Sequence, residues 1–225
     1  MTFSSAINTL KGINPWKTIY FNFHYFKLAT AIRMPVFIFW RSKLSETCGK
    51  IVINAPAKTG MVKFGPYNIG IQDAFYSRTI WQVSGTVIIE GKVCIGRGSS
   101  ICVAKDGTLK LGDNFIITGG STIICQKDIS FGMSCLLSWD ILMMDTDFHN
   151  ILDKEGEIIN NPQPIRIGSH VWIGCRNTIL KGVTIASNNV ISANSTITKD
   201  VIENNCVIGG HAKGAIILKR NIDWG

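Results

Sequence analysis

The sequence predicts an all-β fold, a prism of short flat strands coiled into a solenoid, and three observations carry that expectation. From Ile167 onward the chain reads in sixes, with isoleucine at 167, 173, 179, 185, 191 and 197. The fifth place of each six is Val171, Asn177, Val183, Asn189, Ser195 or Val201, and the second is usually small. The period also extends upstream through Ile89, Ile95 and Ile101, then Leu111, Ile117, Ile123, Ile129, Cys135 and Ile141. A helix repeats near 3.6 residues and cannot hold a strict six on one face; a short strand alternates sides and then needs a corner. The first residue of each six therefore points inward, the fifth sits near a corner, and three sixes close one coil.

Residues 1–50 lie outside this repeat. The run from Tyr20 to Trp40 is aromatic-rich, but His24, Lys27, Arg33 and Pro35 interrupt it, so it is a poor membrane span, and it lacks the cleavage site of a secretory signal. Two readings stand for it. One is a cap over the exposed strand edges of the first coil, with His24 as a packed core histidine. The other is a peripheral membrane contact, with aromatic and basic residues at the interface.

Residues 51–202 form the repeat domain, and 203–225 a short C-terminal cap. Pro56, Pro66 and several glycines make the first coils irregular, and Asp106-Gly107 is turn chemistry that bulges at a corner without breaking the core. The larger break is an extruded loop over 142–166. Ile141 and Ile167 stand twenty-six apart, no multiple of six, and the apolar period vanishes between Asp145 and Pro164. Polar loops extruded from a regular scaffold usually carry function. His149 lies at the start of this one.

A chain of 225 residues, 46% hydrophobic, suits one core. Seven scattered cysteines without a C-x-x-C pair argue for reduced thiols in a cytoplasm, not for disulfides or zinc. The net charge of +8 favours an anionic partner. Nucleic acid is not expected, because aromatics are not interleaved with basic residues in the repeats. A purely structural or ice-binding β-helix would show flat threonine rows, and Thr178, Thr184 and Thr196 are too sparse.

The hexads, with Thr198-Lys199-Asp200 and Gly209-Gly210-His211-Ala212-Lys213, resemble the hexapeptide-repeat acyltransferases, in the branch that acetylates sugars and antibiotics. The resemblance runs from about residue 85 to the C-terminus. It implies a left-handed parallel β-helix, although parallel crossovers are normally right-handed. It also implies a homotrimer, acetyl-CoA as donor, and transfer to a hydroxyl or amine of a free, nucleotide-linked or lipid-linked sugar such as a surface-polysaccharide precursor. By the same resemblance His149 is the general base and the backbone N–H of Cys175 faces the thioester carbonyl. Backbone at Ala193 bonds pantetheine, Thr198 and Lys199 meet the far end of coenzyme A, and Lys213 is a further phosphate contact.

Asp147, Asp145 and Asp140 are candidates to orient the imidazole, and their spacing selects none of them. Trp139, with Asp140 and the 142–166 loop, is a candidate acceptor wall, since aromatics stack on sugar rings. Two departures stand out. His211 replaces the family's usual proline, and no Asn falls between Asn114 and Asn150, where relatives acting on galactosides or maltose hold the sugar with an Asn and an Asp. No metal is expected. A γ-type carbonic anhydrase on this scaffold would need three histidines to meet, and the spacing of His24, His149, His170 and His211 does not suggest it.

Overall fold

The computed structural model describes residues 12–66, 69–71, 73, 75–211 and 214–225. The chain is a left-handed parallel β-helix with three faces. The first face stacks Val36–Ile38, Val62–Phe64, Val93–Ile95, Phe115–Gly119, Leu136–Trp139, Trp172–Ile173, Val190–Ile191 and Cys206–His211. The second runs from Ser42–Glu46 through Leu142–Met144 and Thr178–Leu180 to Thr196–Ile197, and the third from Lys50–Ile53 through Asp128–Phe131 and Ile165–Ile167 to Thr184–Ile185. We call the turns from first to second, second to third and third to first face the first, second and third corners.

The isoleucines at 167, 173, 179, 185, 191 and 197 are all at most 4% exposed, and they stack in three columns, one per face. Upstream the columns differ from the expected series. Phe131 pairs with Ile167, Leu137 with Ile173 and Met143 with Ile179, so these three occupy the column positions in place of Ile129, Cys135 and Ile141. The phase shifts by two at Gln126-Lys127, in the second corner. Residues two apart on a strand face the same way, so Ile129, Cys135 and Ile141 are buried as well, and the slip leaves no mark on the apolar pattern.

The fifth places are buried too, and the polar ones join coil to coil. Asn189 Oδ1 accepts from Cys206 N at 2.7 Å, while its Nδ2 donates to Ala186 O at 3.0 Å and Glu203 O at 2.8 Å. Asn177 does the same with Ser195 N (2.7 Å) and Gly174 O (2.8 Å). Corners turn through left-handed residues, stacked as Asp140, Arg176 and Asn194 at the first corner and as Asn114, Ser134, His170, Asn188 and Asn205 at the third. Short polar side chains tolerate that conformation; Arg176 and His170 carry a strain of about 1–2 kcal/mol.

The solenoid begins earlier and ends later than the sequence suggests. Strands Val36–Ile38 and Ser42–Glu46 already belong to the first coil, so the cap proper ends before Val36. Their apolar alternation is short and lost among the flanking aromatics. At the other end, Cys206–His211 pairs in parallel with Val190–Ile191, and Gly214–Arg220 returns antiparallel to close the prism. The extruded loop narrows to 145–164, since Leu142–Met144 and Ile165–Ile167 are strands. A second excursion, 65–78, leaves the first corner.

Helix α1 (Pro15–Tyr25) and the short α2 (Leu28–Ala31) cover the first coil. Asn14 caps α1 by accepting from Lys17 N, with proline at the first helical position. Phe21 is buried against Trp81 and Phe64 belongs to the same cluster. His24 is exposed, its Nε2 2.8 Å from Thr47 O, and is not a core residue.

Val occupies the fifth place at 171, 183 and 201, so Asn189→Val keeps the shape and removes three hydrogen bonds. Leaving buried backbone groups without partners should cost about 3 kcal/mol and lower Tm by roughly 6–12 °C for a chain of this size. An unchanged Tm in a thermal scan would show that packing alone holds these coils together.

Candidate functional site

At the first corner the stacked turns leave a groove of about 720 Å³ lined by Ile71, Trp139, Asp140, Cys175, Arg176, Ala193 and Asn194. Gly174 lets adjacent turns approach this closely: a Cβ there would lie 2.8 Å from Ile191 O and 2.9 Å from Ala193 N. Among the described residues neither the Cys175 N–H nor the Ala193 N–H has an acceptor, while Cys175 O accepts from Asn194 N at 2.9 Å. The groove thus presents unpaired backbone donors on a rigid edge, the arrangement that stabilises a developing oxyanion. Asp140 and Arg176 face each other at 4.0 Å, both exposed, a pair that adds little stability.

The 145–164 loop leaves the second corner on a fixed base. Asp145 is fully buried, and its carboxylate accepts from the backbone N–H groups of Gln126 (2.7 Å), Lys127 (2.8 Å) and Asp128 (2.8 Å). It closes the two-residue insertion of the coil below, with both carboxylate oxygens taken up by backbone amides. Asp147 accepts from Lys181 Nζ at 2.5 Å and from Asn160 Nδ2 at 2.9 Å, and these two donors, Lys181 first, hold its carboxyl below the usual carboxylate range. Asn160 Nδ2 also reaches His149 O at 2.9 Å. Thr146 Oγ1 donates to Gln126 Oε1 and accepts from Phe148 N at 3.0 Å. Phe148 has φ 63°, strained for a bulky side chain, and this turn aims the residue that follows.

That residue is His149. Its N–H donates to Asp147 O at 2.7 Å, and its ring is exposed with no hydrogen-bond partner among the described residues. None of Asp140, Asp145 and Asp147 touches the ring within the chain. The groove brings together Trp139, Asp140, Cys175 and Ala193, but not His149. Asp140 and Asp145 mark the two corners and are five residues apart, roughly 16 Å of strand. Thr198 and exposed Lys199 follow Thr196–Ile197 and so lie at the second corner, with Lys199 running beside Gly214. Lys213 lies outside the described residues.

Lys181, Asn160 and Arg176 were not legible as site residues. Lys181 and Arg176 fall at ordinary polar places in their sixes, and Asn160 is one of several polar residues in the loop. Among the described residues no three His, Cys, Asp or Glu side chains gather as metal ligands. His24 sits on the cap, His149 on the loop, and His170 stacks on Trp224 with ring centroids 4.3 Å apart.

Replacing Asp145 by Ala strands three backbone N–H groups, with an expected loss of about 4 kcal/mol, or some 8–16 °C in Tm. Asp145→Asn keeps one acceptor oxygen and should fall between. If Asp145→Ala instead kept the parent Tm while losing activity, the carboxylate would have to act on the imidazole.

The family model described as bacterial transferase hexapeptide (six repeats) matches residues 164–199. The chain is 30% identical over 152 residues to galactoside O-acetyltransferase of Escherichia coli (strain K12), covering 65% of this chain and 70% of that protein. It is 32% identical over 138 residues to polysialic acid O-acetyltransferase of Escherichia coli O1:K1 / APEC, covering 60% of this chain but only 41% of that relative. A crystal structure of a polysialic acid O-acetyltransferase superposes with a TM-score of 0.53 at 26% identity, over 82% of this chain and 70% of the other. Repeat, fold and relatives agree, and the chain belongs to the hexapeptide-repeat acyltransferases.

Proposed function

We propose that the chain moves an acetyl group from acetyl-CoA to a sugar hydroxyl, as a homotrimer whose sites form between neighbouring subunits. The carrying observation is the pairing of a groove with free backbone donors at one corner and a histidine on a latched loop at the next. The named relatives support acetyl transfer to a sugar. A cytoplasmic setting, where acetyl-CoA is made, fits the reduced cysteines, and a surface-polysaccharide precursor fits the acceptors that the relatives' names give.

In this reading His149 takes the proton from the acceptor hydroxyl as its oxygen attacks the thioester carbon. Negative charge builds on the carbonyl oxygen, and the Cys175 N–H donates to it. Collapse breaks the carbon–sulfur bond, the thiolate leaves as coenzyme A, and the proton on His149 neutralises it. Ala193 backbone holds pantetheine, while Thr198, Lys199 and Lys213 meet the nucleotide phosphates. Trp139 and Ile71 offer apolar surface to the sugar ring, and Asp140 and Arg176 offer polar contacts. Asp147 acts at one remove, through Lys181 and Asn160, by fixing the loop.

The test is thioester cleavage with acetyl-CoA across free, nucleotide-linked and lipid-linked sugars. His149→Ala should lower kcat about a hundredfold or more while coenzyme A binding stays within a few-fold, because the base acts on the acceptor. Activity of the variant within a few-fold of the parent would refute the assignment.

A further inference from the structure

Helix α1 is placed inside out. Trp16, Ile19, Tyr20 and Phe23 follow the i, i+3, i+4, i+7 spacing of an apolar stripe, which a helix on a water-soluble protein turns toward the core. Here they face outward, 77%, 44%, 49% and 48% exposed. The inward face buries one large apolar side chain, Phe21, between two polar ones, Thr18 and Asn22. Thr18 Oγ1 accepts from Ile38 N at 3.0 Å, and Asn22 accepts from Val36 N at 3.1 Å and donates to Val36 O at 2.7 Å. The first strand of a solenoid has an unpaired edge that must be satisfied. Thr18 and Asn22 serve that edge, and the apolar stripe is thereby left to the outside.

The stripe continues onto Leu28 (68% exposed) and Ile32 (62%). The segment that carries it is basic in sequence. Six lysines and arginines precede Glu46, the first acidic residue of the chain. Lys17 turns inward to Ser42 O at 2.6 Å, whereas Lys27, Arg33 and Lys43 are exposed.

We infer that this cap seats the protein on an anionic lipid surface, with the stripe at the level of the headgroups and the cations toward their phosphates. An eleven-residue helix is about 16 Å long, too short to cross a bilayer and suited to lying in its interface. Tryptophan and tyrosine favour that depth, and basic residues near an anionic surface add electrostatic attraction. Charge complementarity selects lipid over an apolar protein partner, which would not require cations without acids. The inference does not depend on the acetyl-transfer reading.

The test is co-sedimentation of the full chain with vesicles of phosphatidylcholine alone or mixed with phosphatidylglycerol, at low and high salt. Binding should need the anionic lipid and weaken with salt. Trp16→Ser/Ile19→Ser/Phe23→Ser changes only outward side chains, so it should keep the parent Tm and lose about tenfold or more in binding. Lys27→Glu/Arg33→Glu/Lys43→Glu should lose as much. Absence of binding to mixed vesicles, or equal binding by the serine variant, would overturn the inference. So would a serine variant that changes oligomeric state, which would make a second copy the occupant. Binding that appears only when residues 1–11 are removed would assign the stripe to that segment instead.

Discussion

Everything in this molecule depends on coil stacking on coil in register, with backbone hydrogen bonds running parallel to the prism axis. Each column position must match the one above and below, because a slip of one residue would turn its side chain from core to solvent. That constraint fixes the isoleucine columns, puts left-handed turns above one another, and makes each corner a repeated edge. The groove at Cys175 and Ala193 follows from it. Gly174 lets the turns close up, and the N–H groups of Cys175 and Ala193, two residues lining the groove, find no acceptor among the described residues.

A scaffold this constrained has little freedom on its faces, so it varies where the chain leaves it. The 65–78 excursion brings Ile71 to the edge of the groove, and the 145–164 excursion carries His149. Asp145 at the base of the second takes three backbone N–H groups in a buried setting, where their absence would be expensive. Further out, Lys181 ties Asp147 and Asn160 O together across the mouth of the loop. Burial thus decreases outward along the loop, from a buried carboxylate to an exposed imidazole.

The hexads made the fold legible, because burial at a period of six has no other simple explanation, and the break in the period exposed the loop with His149. What the pattern hid has physical causes. A two-residue insertion preserves the alternation of faces, so the passage from Ile129 to Phe131 as the column residue could not be seen. Asp145 and Asp147 are alike in type and two apart, yet one is buried under three amides and the other is exposed beside a lysine; only the fold separates them. The start of the first coil at Val36 was masked because the helix before it is richer in aromatics than the strand. That helix carries an apolar stripe, yet the face with Thr18, Phe21 and Asn22 turned inward, because an unpaired strand edge needs hydrogen bonds that the stripe cannot supply.

The central claim is that the histidine of one subunit works on the groove of the next. It is tested most directly by mixing two inactive chains, His149→Ala and a variant blocked at the groove by Ala193→Trp, and measuring acetyl transfer by heterotrimers of verified composition. In each such heterotrimer an intact histidine faces an intact groove at about one site in three, so activity should return to roughly a third of the parent level. Heterotrimers that stay inactive, or a monomer with full activity, would place the whole site within one chain and contradict the account.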